Sequence, residues 1–178
     1  MVNALLEAAT TLFAAHGPGA VSLRDVARQA NVNLGLIHRY IGGKQDLLEM
    51  VLERRPGMPA LPPAPPRSAA ELVDLLLELL AADAAYTRIM LRATLDGFEV
   101  PRSQQAFPLI ERAVATARST LPPPDAELRV GLLAAAAFGW QALGPLLLDA
   151  VGHADLDGRA VAEALRPALL AFVQADLT

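Results

Sequence analysis

Apolar residues recur at helical spacing along most of the chain. Leu5, Leu6, Ala9, Leu12 and Phe13 fall at i, i+1, i+4, i+7 and i+8, one stripe of a helix over about 2–15. His16-Gly17-Pro18-Gly19 ends it, with Gly17 suited to the left-handed position that follows a helix. Ser22 opens a second helix to about residue 29, and Asp25 three residues on makes a capping box with Asp in place of the usual Glu. Val26, Ala27 and Ala30 are its inner face. Asn31 stands where a tight turn calls for positive φ, and Asn33 is a good N-cap for a short third helix to about Tyr40. Gly42-Gly43 breaks the pattern, and a fourth helix starts near Lys44 with Leu47, Leu48, Val51 and Leu52 inside.

The segment from Pro56 to Pro66 carries six prolines in eleven residues, so it is predicted to be extended, and the fourth helix to end near Arg55. Helical patterns resume at about 69–82, 84–97, 104–120, 125–151 and 158–176, with Ser68 and Glu71 forming a second capping box. The first of these is apolar nearly all round and is expected at the centre of a bundle. Val130–Leu148 has Gln141 as its one clearly polar residue and is almost long enough to span a bilayer. Its Ala and Gly content, Pro145, and the lack of flanking Lys/Arg clusters or aromatic anchors favour a soluble helix buried on most sides. The first residues lack a basic segment and carry Glu7, unlike a secretory signal, so a cytoplasmic protein is expected. The fold class read from these patterns is all-α, an N-terminal group of short helices followed by a C-terminal helical bundle, about nine helices in total. The domains read as 1–55, a proline-rich linker 56–67, and a body 68–178.

Composition narrows the picture further. The 178 residues include 35 Ala and 32 Leu, strong helix formers, which argues against an all-β fold. Cysteine is absent, so disulfides, thiol nucleophiles and thiolate metal sites are excluded. The net charge of −4 hides an asymmetry: residues 1–55 carry six basic and five acidic groups, so the acidity lies in the remainder.

Helices 22–29 and 33–40 joined by a short turn have the form of a helix-turn-helix, whose second helix enters the major groove of DNA. Two small helices of any core would satisfy the same pattern. The residues say more. The runs Leu5-Leu6-Glu7-Ala8-Ala9, Leu12-Phe13-Ala14-Ala15-His16-Gly17, Ser22-Leu23-Arg24-Asp25-Val26-Ala27, Ala30-Asn31-Val32-Asn33 and Ile37-His38-Arg39-Tyr40-Ile41-Gly42-Gly43-Lys44, followed by Leu47-Leu48, strongly resemble the TetR (tetracycline-repressor) family of bacterial regulators over about the first 52 residues. The resemblance implies an N-terminal three-helix DNA-binding head and a larger, variable helical body that binds a ligand and dimerises. It implies that Ser22 caps the second helix and reaches a phosphate, that Arg24 contacts a base or phosphate, and that Asn33 caps the recognition helix. Leu34, Gly35, Leu36, His38, Arg39 and Tyr40 then form the DNA-facing helix, and Lys44 a further phosphate contact. The chain departs from the family at Leu34 and Leu36, where many members have Lys/Arg and Thr/Ser; these leucines are suited to thymine methyls instead. Asn31 replaces a common Gly.

The remaining candidates have ordinary readings. His16, His38 and His153 show no metal-ligand spacing, so no metal, cofactor or catalytic site is expected. The acidic pairs Asp96/Glu99 and Asp155/Asp157 read as caps and solvated loops. Tyr86, Met90, Phe98, Phe107, Phe138, Trp140 and Gln141 are candidates for an apolar ligand pocket and equally for core, with Arg88 and Arg92 as polar groups nearby. The expected function is a ligand-responsive repressor, not an enzyme. It would bind a palindromic DNA operator as a homodimer through helices 125–151 and 158–176 and respond to a lipophilic molecule. The rival reading is a helical small-molecule-binding protein with a vestigial head.

Overall fold

The computed structural model describes residues 1–57, 64, 66–99, 108–119 and 123–174. Among them lie nine helices and no strand: α1 (Val2–His16), α2 (Leu23–Gln29), α3 (Leu34–Tyr40), α4 (Lys44–Glu53), α5 (Ala69–Ala81), α6 (Ala85–Leu95), α7 (Pro108–Ala117), α8 (Asp125–Ala150) and α9 (Gly158–Gln174). The all-α fold expected from the sequence is the one observed. The chain forms two compact units, Met1–Met58 with Asp83–Ala106, and Pro59–Ala82 with Phe107–Thr178. Residues 104–107 of the predicted helix 104–120 lie outside the described residues.

Local chemistry sets the helix boundaries of the first unit. Gly17 ends α1 at φ 83 and donates its N–H to the Phe13 carbonyl. The capping box at α2 is complete: Asp25 N–H donates to Ser22 Oγ at 3.2 Å, and Ser22 N–H donates to Asp25 Oδ2 at 3.0 Å. Asn31 takes φ 54 in the turn, a left-handed backbone that Asn tolerates better than branched residues. Asn33 Oδ1 accepts the Gly35 N–H at 2.8 Å, and Asp46 Oδ2 accepts the Gly43 N–H at 2.6 Å. The helix α4 stops at Glu53, and Arg55 and Gly57 then adopt φ 49 and 76. Residues 58–63 and 65 of the proline-rich segment lie outside the described residues.

The core of this unit joins Leu5, Ala9 and Phe13 of α1, Val26 of α2, Ile37 of α3 and Leu47, Leu48, Val51 and Leu52 of α4. Tyr86, Ile89 and Ala93 of α6 belong to the same buried cluster. So α6, which the sequence reading placed with the body, packs with the head.

In the second unit α5 is central. Its Leu72 packs with Ala113, Ala117, Ala126 and Val130, its Val73 and Leu77 with Ala162, and its Leu76 with Leu133 and Ala137. Arg129 of α8 is only 3% exposed. Its Nη1 donates to the carbonyls of Phe172 (3.0 Å) and Val173 (3.3 Å), placing a cation at the negative C-terminal end of α9.

The expectation that the helix at 125–151 is buried on most sides is not met. The helix is long and apolar enough to cross a membrane by length and composition, yet only 22% of its most apolar window is buried. It buries one face, with Ala126, Val130, Leu133, Ala137 and Gly144, against its own unit. The other face leaves Leu128, Leu132, Leu143, Leu146 and Leu147 exposed.

Candidate nucleic-acid interface

Two short helices and the turn at Asn31 hold the surface on which most of the predicted DNA-facing residues stand. Burial of Val26, Ala27 and Ile37 locks α2 and α3 onto α1 and α4. That anchoring leaves Ser22, Arg24, Gly35, His38, Arg39 and Tyr40 exposed, with Leu34 and Leu36 half-buried. Ser22, Leu23, Arg24, Leu34, His38 and Lys44 line one shallow, open concavity of about 450 Å³. The Arg39 guanidinium lies 5.5 Å from the centre of the Tyr40 ring. Arg24 has no ion-pair or hydrogen-bond partner among the described residues, whereas Arg28 is held by Asp25 at 2.7 Å.

Three predicted residues are engaged within the protein. Asn33 Oδ1 is used as the cap of α3. The Ser22 hydroxyl donates to Asp25 Oδ2 at 2.6 Å, so it reaches a phosphate only by releasing that carboxylate. This bond, followed by the Ser22 N–H and Arg28, holds the Asp25 carboxyl below its ordinary range.

Lys44, which the family resemblance made a phosphate contact, is the third. Its Nζ donates to the carbonyls of Pro18 (2.7 Å), Val21 (2.9 Å) and Gly19 (3.2 Å). An ammonium has three donors, and all three are consumed by the α1–α2 loop. The same Nζ lies 5.3 Å from the centre of the Phe98 ring. Position at a helix start, which is all the sequence offers, does not show which acceptors the side chain will find.

The loop is held from a second side by the end of α6, a feature that sequence reasoning missed. Arg92 Nη1 donates to the carbonyls of Ala15 (2.5 Å) and Ala14 (3.5 Å) at the C-terminus of α1. Asp96 Oδ2 accepts the Gly19 N–H at 2.8 Å, and Gln45 Nε2 donates to the Glu99 carbonyl at 2.8 Å. A Cβ on Gly19 would stand 2.5 Å from Asp96 Oδ2, so the close approach requires glycine unless that carboxylate moves. The available signal was Arg92 and Asp96 at i, i+4 on one helix face, with nothing to name their distant partners.

The predicted pocket residues are distributed between the two units. Tyr86, Met90 and Phe98 pack in or against the core of the first unit, and burial pushes the Tyr86 phenol above its ordinary range. Arg88 pairs with Asp83 at 3.3 Å. Phe138, Trp140 and Gln141 stand half-buried on α8 in the second unit, and Phe107 lies outside the described residues. No group of three or more His, Asp or Glu side chains arranged to hold a metal ion occurs among the described residues.

Residues 5–51 match the sequence pattern of the bacterial regulatory proteins, tetR family. The chain is 35% identical over 159 residues to the HTH-type transcriptional repressor Rv3405c of Mycobacterium tuberculosis, covering 87% of this chain and 79% of the relative. The chain belongs to the TetR family. Solved structures of the same fold include GusR of Salmonella enterica, with TM-score 0.65, 18% identity, and coverage of 98% of this chain and 95% of that one. BioQ of Mycobacterium smegmatis superposes with TM-score 0.61 at 20% identity, over 95% of this chain and 94% of that one. This TetR-family protein is a DNA-binding transcriptional regulator and not an enzyme.

Proposed function

We propose that this regulator is a ligand-responsive repressor that binds a palindromic operator as a homodimer. The observation that carries the dimer is the exposed face of α8. Leu128, Leu132, Ala135, Gly139, Leu143 and Leu146 follow one another at three- and four-residue steps and lie on one face of the helix. Leu128 and Leu146 are each 65% exposed. Leucines on a single face, with small residues between them that permit close helix approach, fit a self-complementary two-fold contact. Exposed Ala164, Leu165 and Ala168 give α9 a similar but smaller face. Helices α8 and α9 of two protomers together form a four-helix interface, of the kind that buries roughly 2,000 Å² or more.

On this reading residues 1–55 are the DNA-binding part, 56–67 the linker and 68–178 the ligand-binding and dimerising part, with α6 lending its buried face to the head. Arg24, Leu34, Gly35, Leu36, His38, Arg39 and Tyr40 face DNA, with Ser22 and Asn33 holding the helices that present them. Two heads related by the dimer axis read half-sites one helical turn apart or a multiple of it. The description of the mycobacterial relative as a repressor supports repression over activation. Phe138, Trp140 and Gln141 are the ligand-facing candidates in the second unit, and their apolar setting suits a lipophilic molecule. A ligand that favours a different separation of the heads lowers operator affinity by population shift, in the cytoplasm where the operator lies.

Sedimentation of the purified protein, alone and on DNA flanking its own gene, tests the assembly. A dimer in both states is expected, and a monomer in both would overturn it. For the ligand, the expected result is a lipophilic molecule that co-purifies and, when added back, releases the operator.

A further inference from the structure

We infer, on the reading of the head as an operator-binding surface, that α3 selects its half-site chiefly by the 5-methyl groups of thymine, taken by Leu34 and Leu36 on either side of Gly35. Ile37 is fully buried and fixes which way α3 faces. At 100° per residue, Gly35 and Arg39 lie opposite Ile37, and Leu36 and His38 flank them. Leu36 is half-buried and stands outside the core cluster, whereas half-buried Leu34 packs one side against that cluster and forms a wall of the concavity that Arg24 and Ser22 also line.

The first turn of α3 carries almost no hydrogen-bonding capacity toward a base edge. Asn33 Oδ1 is occupied by the Gly35 N–H, which leaves the Asn33 Nδ2 group as the one side-chain donor beside residues 34–36, which are Leu, Gly and Leu. His38 and Arg39 stand a turn further on, and the Arg39 guanidinium lies over Tyr40. Every base pair shows polar atoms in the major groove, but thymine alone adds an apolar group. A leucine set against polar base atoms strips them of water without replacing their hydrogen bonds. Set against a methyl, it loses nothing and buries apolar surface. Selection therefore comes from attraction to thymine and from a penalty against the other bases.

Gly35 completes the arrangement. Its φ is outside the left-handed region, and a Cβ built on it would meet only Asn33 Oδ1, at 3.2 Å. The fold does not require glycine there, and glycine weakens a seven-residue helix. What a missing side chain provides at this exposed position is closer approach of the backbone to the bases, which brings both leucines within reach of the methyls.

The test uses the full-length protein and operators that it selects itself from a random-sequence duplex library. Selected half-sites are expected to contain thymine at the positions facing α3. Replacing those thymines by deoxyuridine removes the methyl alone and is expected to weaken binding roughly three- to tenfold per contacted methyl. Deoxyuridine at flanking positions should have no effect. Leu36→Ala leaves the core cluster intact, and its affinity should no longer respond to deoxyuridine at the thymine that Leu36 faces, while the response at the thymine facing Leu34 remains. Gly35→Ala should keep or raise the melting temperature while weakening operator binding tenfold or more. Sequence-specific binding that ignores the exchange, or half-sites selected without thymine, overturns the inference and leaves the operator-binding reading standing. Absence of any salt-dependent duplex binding overturns both.

Discussion

Replacing Lys44 by methionine keeps most of the side-chain stem and removes the ammonium. The charge now donates to three carbonyls, of which those of Pro18 and Val21 belong to buried residues and that of Gly19 to an exposed one. Water can replace the ammonium at Gly19. At the other two carbonyls a charged hydrogen bond is lost where solvent reaches poorly, at about 1.5–3 kcal/mol each before relaxation. Allowing for relaxation of the loop, the net cost is about 2–4 kcal/mol, a large part of an ordinary folding stability of about 5–15 kcal/mol. The melting temperature should fall by about 5–15 °C. The slope of log affinity against log salt should change by well under one unit, because an ammonium whose three N–H groups are engaged makes no direct phosphate contact. Thermal melts and operator titrations at several salt concentrations measure both quantities on one preparation. An unchanged melting temperature together with a slope smaller by about one unit would refute the clamp and restore Lys44 as a phosphate contact.

Three further outcomes follow from the same geometry. Asn31→Val forces a β-branched residue into φ 54 and should cost about 1–3 kcal/mol, whereas Asn31→Gly should be close to neutral in a chemical denaturation series. The Asp25 carboxyl is held below its ordinary range in the folded state, so its contribution is present above the unfolded value of 3.8 and fades as pH falls through the lower folded value. Asp25→Asn should therefore lose stability at neutral pH and show a flatter acid limb in melts from pH 7 down to the acid transition. Ala135→Arg places an unpaired charge in the proposed α8 interface and should yield monomer or aggregate that no longer binds operator; a well-behaved dimer carrying it in sedimentation would place the interface elsewhere.

Local chemistry made most helices legible in advance. Ser22 with Asp25, Asn31 and Asn33 act through neighbours two or three residues away, so their roles survive being read along a line. The central place of α5 was legible because its Leu72, Val73, Leu76 and Leu77 occupy several faces. Long-range partners were not. Lys44 finds acceptors 23 to 26 residues earlier, and Arg92 and Asp96 find theirs 77 residues away. The apolar surroundings of α8 misled for a related reason. A helix that is apolar on every face looks alike whether its outer face meets its own chain or a second copy.

The placement of α6 changes what counts as the head. The core that seats Ile37, and with it the recognition helix, includes Tyr86, Ile89 and Ala93 from the far side of the proline-rich segment. The chain therefore leaves the first unit after α4, builds α5 in the second, returns as α6, and leaves again toward α7. Three covalent crossings join the units where a single linker would give one. Asp96 and Phe98, just past α6, hold the α1–α2 loop directly and through Lys44. The loop's anchors are hydrogen bonds to backbone carbonyls and one N–H, short-range and directional, so a small displacement breaks them instead of stretching them. These bonds hold α2 and α3 of the head in one arrangement.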